Sequence, residues 1–179
     1  MIKKTNGQIW IETVIYTLIG LALIGVILAV ITPKINESKD KIMIEQAVSA
    51  LNNFGEKIRE VLDRPIGNKR IIEEFFMKRG EFRIDGENER IVFLFDEIDR
   101  PYSQPNESIE NGWVSILTRQ GQKKFSVELS LNYQNITNIQ YDGDDLLKQF
   151  GPASVPYIFS VESIGNGTDR IVNVKEISR

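Results

Sequence analysis

Residues 3–32 read KKTNGQIWIETVIYTLIGLALIGVILAVIT. Two lysines lead into a Gly-Gln pair, and an apolar chain follows. From Thr13 to Thr32 no residue is charged, a run of 20. At about 1.5 Å per residue a helix of that length crosses the roughly 30 Å hydrocarbon layer of a bilayer. A core helix of a soluble protein is rarely uncharged for so long, so the segment is expected to insert in a membrane. Glu12 breaks the pattern near its start. A carboxylate costs about 2.5–3.5 kcal/mol at the centre of a membrane helix and less near the interface, so such a residue usually has a partner.

Three fates for the segment can be compared. A cleaved secretory signal would have a shorter apolar region and a small-residue site of A-x-A type after it. The far end here reads LAVITPK, without one. An uncleaved anchor would keep Lys3 and Lys4 in the cytoplasm and place the bulk of the chain outside, but it leaves Glu12 unexplained. A cut between Gly7 and Gln8 would leave the helix on the protein and give Gln8 a free ammonium. Glu12 then lies one helical turn from that ammonium, or meets the ammonium of a staggered neighbour. In a low dielectric an unpaired carboxylate is costly, so the pair would select one axial offset and act as a register device.

The segment KKTNGQIWIETVIYTLIGLALIGVILAV resembles the class III signal peptide of archaeal type IV pilin-like proteins. Basic residues, a Gly, a Gln directly after the cut and a Glu four residues later make that pattern, matched by Lys3, Lys4, Gly7, Gln8 and Glu12. The likeness covers about 30 residues. Trp10 departs from it, since a small or hydroxyl residue is common there. Bacterial type IV pilins usually carry Phe after the cleaved Gly and often a C-terminal Cys pair, and this chain has neither. The resemblance implies a leader 1–7 removed by a prepilin peptidase. It implies insertion in the membrane, then polymerisation of the protein with itself through its helix by a pilus assembly machinery. The result would be an extracellular filament for adhesion or surface interaction. The reading kept beside it is a single-pass anchored extracellular binding module that does not polymerise.

Beyond Thr32, Pro33 removes one helical hydrogen bond, which kinks a helix as readily as it ends it. After it, Ile44, Ala47, Val48, Leu51, Phe54, Ile58, Val61 and Leu62 recur at spacings of three and four, with charges between them, the mark of a one-sided helix. The sequences DRP and GN stop it near residue 63. A continuous helix from Gln8 to Leu62 would be about 80 Å long. Its first part, 8–32, suits lipid or a filament core, and 33–63 suits a folded head. Gly25 and Ala29 form a small-xxx-small pair on a stripe with Thr13 and Thr17, a place where helix backbones can approach.

Residues 64–179 are expected to form a β-rich head. Residues 69–79, KRIIEEFFMKR, read as a short helix, capped by Asn68 and ended by Gly80. EFRI and RIVFLFDE flank DGEN, a hairpin signal, and RPYSQPNESIENG reads as a polar loop. WVSILTR, KFSVELSLNY and ITNIQYD follow as strands, and PYIFSVESI and DRIVNVKEI form a hairpin around GNGT. In KFSVELSLNY the residues Phe125, Val127, Leu129 and Leu131 alternate with polar ones, which describes a sheet with one wet face. The expected fold class is α+β, with an antiparallel sheet laid against the distal half of the long helix, as in type IV pilins.

Composition narrows the chemistry. The chain has 179 residues, no Cys and no His. Disulfides, thiolate nucleophiles, Ser-His-Asp triads and His- or Cys-ligated metals are therefore excluded. The formal charge is −3, with no basic patch to suggest nucleic acid. Four N-x-[ST] sequons begin at Asn36, Asn106, Asn135 and Asn166. Asn106, Asn135 and Asn166 fall in loops or turns and are candidate glycosylation sites, whereas Asn36 lies close to the membrane segment. Asp142, Asp144 and Asp145 around Gly143 suggest calcium only weakly, because the EF-hand spacing is incomplete. Asp96, Glu97 and Asp99 read as surface charge rather than a catalytic pair. No enzyme activity and no cofactor are expected.

Overall fold

The computed structural model describes residues 6–166 and 169–177, with the backbone path alone for 6–9 and Asp169. Lys3 and Lys4 lie outside the described residues. A single helix α1 runs Asn6–Leu62, through Pro33. The chain divides between Lys39 and Asp40 into two compact units.

Among the described side chains of the first unit none is buried. Fifteen large apolar side chains from Trp10 to Ile31 are exposed, with Tyr16 at 72% and Leu21 at 68%. Two threonine hydroxyls on this stretch are turned to the backbone. Thr17 Oγ1 donates to Thr13 O at 2.8 Å, and Thr32 Oγ1 to Leu28 O at 2.7 Å. This is how a polar side chain is tolerated where no water is present. By length and composition the helix can cross a membrane.

In the second unit the same helix has a buried stripe. Ile44, Ala47, Val48, Leu51, Phe54, Ile58 and Val61 are all buried, while Leu62 is half-exposed. The stripe packs among ten strands. These are β1 (Lys69–Phe75), β2 (Glu81–Asp85), β3 (Arg90–Ile98), β4 (Ser108–Asn111), β5 (Val114–Gln120), β6 (Phe125–Asn132), β7 (Asn138–Tyr141), β8 (Leu147–Phe150), β9 (Tyr157–Asn166) and β10 (Asp169–Glu176). They form two sheets, one of four strands in the order β1-β9-β10-β7 and one of six in the order β4-β5-β6-β3-β2-β8. Phe54 of the helix joins them. Its ring centroid lies 6.1 Å from Phe75 and 5.8 Å from Phe159 in the four-stranded sheet, and 5.6 Å from Phe82 in the six-stranded one. The architecture is therefore α+β, a long apolar helix followed by a sheet-rich domain.

Three expectations need correction. Residues 69–79 contain strand β1, not a short helix. A register shift between Ile72 and Phe75 lets both side chains face the core although they are three apart. An inward pair at spacing three imitates a helical period, and a β-bulge produces it in a strand. Asn68 caps no helix, because its carbonyl accepts from Ser163 N at 3.0 Å. Gly80 instead makes a tight turn into β2 at φ +88°, where an added Cβ would lie 2.6 Å from Leu94 O. Second, there are two sheets, and the four-stranded one is mixed, since β7 runs parallel to β10. Third, β4 lies within the stretch read as polar loop, and β8 lies in a stretch assigned to no strand. Both are edge strands of the six-stranded sheet. All of β4 and three of the four residues of β8 are exposed, so neither has the alternation that betrays a half-buried strand.

The β2–β3 hairpin forms as read. The Asp85 carboxylate accepts from Asn88 N at 3.1 Å and from Asn88 Nδ2 at 3.0 Å, the side-chain brace common in tight turns. Strands β9 and β10 pair in register from Asn166↔Asp169 to Phe159↔Glu176.

Candidate functional site

Two regions draw attention. At the start of α1, Gly7 and Gln8 lie on helical backbone and Glu12 is half-exposed one turn later. The sequence had pointed there. The second region, a groove on the head, had given no signal that the sequence reading used.

One wall of the groove is the β4–β5 turn, held by the helix. Asn52 Nδ2 donates to Asn111 O at 3.1 Å, and Trp113 N donates to Asn52 Oδ1 at 2.8 Å. Between them Gly112 has φ +66°, and a Cβ there would lie 2.4 Å from Asn52 Oδ1. Only glycine fits that turn beside that amide. The clamp presents Trp113 with 56% of its surface exposed. The Arg59 guanidinium sits over the indole at 4.8 Å from the ring centroid, a cation–π contact of about 0.5–1 kcal/mol at an exposed site.

The other wall is the 132–138 loop leading into β7. Tyr133 N donates to Glu89 O at 2.8 Å, and Ile136 N donates to Tyr133 O at 2.9 Å. The Glu89 carboxylate accepts from Ile139 N. Thr137 Oγ1 donates to Arg170 O at 2.9 Å. Arg170 in turn donates to Leu62 O and, at 3.2 Å, to Arg64 O. A cation at the last carbonyls of a helix complements the negative end of its dipole. Gly55 and Leu131 also line the groove, which encloses ≈ 1010 Å³. Burial pushes the Tyr133 phenol far above its ordinary range, so it stays protonated. Asn138 Oδ1 is buried without a hydrogen-bond donor among the described residues.

The three candidate glycosylation positions are all exposed. Asn106 and Asn135 have φ of 64° and 63°, a left-handed turn conformation that asparagine tolerates well. Asn135 also lies on the groove. Asn166 ends β9. Asn36 is exposed on α1. One carboxylate of each acidic cluster is paired with a lysine. Asp142 pairs with Lys175 at 2.7 Å, and Asp99 with Lys124 at 2.6 Å. The lysine beside it holds the Asp99 carboxyl below its usual range. Among the described residues no group of three or more acidic side chains is placed to hold a metal ion.

Comparison with family models, with curated proteins and with solved structures gave no match.

Proposed function

We propose that this chain is the structural subunit of a type IV pilus-like surface filament, cut between Gly7 and Gln8 by a prepilin peptidase and polymerised through α1. The observation that carries this reading is a conjunction on one helix. Fifteen large apolar side chains are exposed, and the first turns of the helix carry a Gly-Gln junction with Glu12 one turn on. Each such side chain taken from water is worth about 1.5–3 kcal/mol, so the stretch needs lipid or copies of itself around it. In lipid that drive is already satisfied, and packing and polar pairing must select the neighbours. The Gln8 ammonium against the Glu12 carboxylate supplies such a pair. The head would face the outside, with Asn106, Asn135 and Asn166 available for glycans.

Two variants separate the steps. Gly7→Trp should block maturation, so that the longer form accumulates on a gel. Glu12→Ala should be cleaved normally but form few filaments by electron microscopy. Normal filaments from Glu12→Ala would remove the carboxylate from assembly. The groove on the head favours a second reading, an anchored binding module that never polymerises and keeps Lys3 and Lys4.

A further inference from the structure

We infer that the groove between Trp113 and the 132–138 loop binds a neutral saccharide chain. Three observations lead there. Trp113 is held out on a clamped turn with more than half its surface exposed. An indole is a broad apolar platform with one polar edge, and the face that Arg59 does not cover suits the C–H face of a pyranose ring. The walls carry three amides, Asn132, Asn135 and Asn138, each both donor and acceptor, as a ring of hydroxyls requires. The volume of ≈ 1010 Å³ is at the top of the range of about 300–1,000 Å³ for ligand clefts, enough for several sugar rings rather than one.

Charge argues against other ligands. Each of the four charged side chains on the groove already has a partner. Arg59 lies over Trp113 and 3.8 Å from Asp63, Arg170 is bound to helix carbonyls, and Glu89 accepts from Ile139 N. The two cations and two carboxylates balance, so the groove carries no net charge to select a phosphate, an acidic peptide or a basic one. Asn138 has capacity to spare. It lines the groove, and its buried Oδ1 lacks a donor among the described residues. This inference needs no polymerisation and stands whether the chain is a filament subunit or an anchored module.

The test uses the full chain from a host that adds no N-glycans, in a detergent without a sugar headgroup. Trp10→Phe makes Trp113 the one indole, since the chain has two Trp. Its fluorescence is followed while cellohexaose, mannohexaose and chitohexaose are added separately to millimolar concentration. A saturable change with at least one of them is expected. Isothermal calorimetry then reads the variants. Trp113→Ala should weaken binding about tenfold or more, as loss of a central aromatic does, and Trp113→Phe should restore part of it. Asn138→Leu should weaken binding severalfold while the melting temperature holds or rises, because a buried unpaired oxygen is removed. A purely structural Asn138 would lower the melting temperature and leave binding unchanged. No saturable change with any of the three sugars overturns the inference. So does binding that survives Trp113→Ala, or a Trp113 signal that follows protein concentration alone, which would make the groove a contact between copies.

Discussion

One helix serves two surroundings, and its two halves answer to different rules. From Thr13 to Thr32 the helix is uncharged around its whole circumference, and its large apolar side chains are exposed. After Asp40 it is apolar on one stripe only, and that stripe lies in the hydrophobic core of the head. A helix apolar all round is built for lipid or for other helices, and a helix with one apolar stripe is built for a core. The backbone is continuous through both. What changes from residue 40 on is that the head buries one side of the helix.

The sharpest way to break this contrast is to truncate one side chain in each half. Phe54→Ala should lower the stability of the head by about 3–5 kcal/mol, since it removes a ring that touches both sheets. Leu21→Ala should leave it unchanged, because Leu21 is 68% exposed. Urea unfolding of the detergent-solubilised chain, followed by the near-ultraviolet signal of the head, measures both. Equal losses would mean that the two halves do not differ as described.

The next effect concerns the place where the second half begins. Asp40 is 7% exposed and accepts from Arg79 Nη1 at 2.5 Å. Arg79 also donates to Asp96 O and Glu97 O, each at 2.9 Å. Removing one partner of a buried pair costs about 3–5 kcal/mol. The Arg79 side chain is about a third exposed, so Asp40→Ala should cost less, about 2–3 kcal/mol. The same unfolding experiment reads it. A change below about 0.5 kcal/mol would make the pair an ordinary surface contact.

The smallest effect has the opposite sign. Gly55 is mid-helix and buried, and an added Cβ would meet Leu131 Cδ2 at 3.4 Å and Trp113 Cβ at 3.6 Å, ordinary contacts. Gly55→Ala should stabilise the head by about 0.5–1 kcal/mol through the backbone alone. A loss would show that the groove floor cannot take even one methyl group.

How much of this was legible follows the same contrast. The first half of α1 was readable because an uncharged run of 20 is a composition signal that needs no tertiary context. The stripe from Ile44 to Val61 was readable because burial on one side imposes a period. β6 was readable for the same reason, with Val127, Leu129 and Leu131 buried in alternation. Where local pattern and tertiary role part, the reading failed. In β1 the bulge between Ile72 and Phe75 gives a strand a helical spacing. In β4 and β8 the edge position removes the alternation. The parallel β7–β10 pair joins segments about thirty residues apart in register, which no local window contains. The groove was hidden because its walls come from the helix, the β4–β5 turn and the 132–138 loop. The one local hint was Trp113 after Asn111 and Gly112, a large aromatic placed at a turn where a core residue is not expected.

The most direct measurement is the N-terminal mass of the protein recovered from native membranes or surface filaments. A polypeptide beginning at Gln8 is expected, with the Gln8 ammonium one helical turn from Glu12. A polypeptide beginning at Met1, with Lys3 and Lys4 retained, would contradict the filament reading and leave an anchored head whose groove is its function.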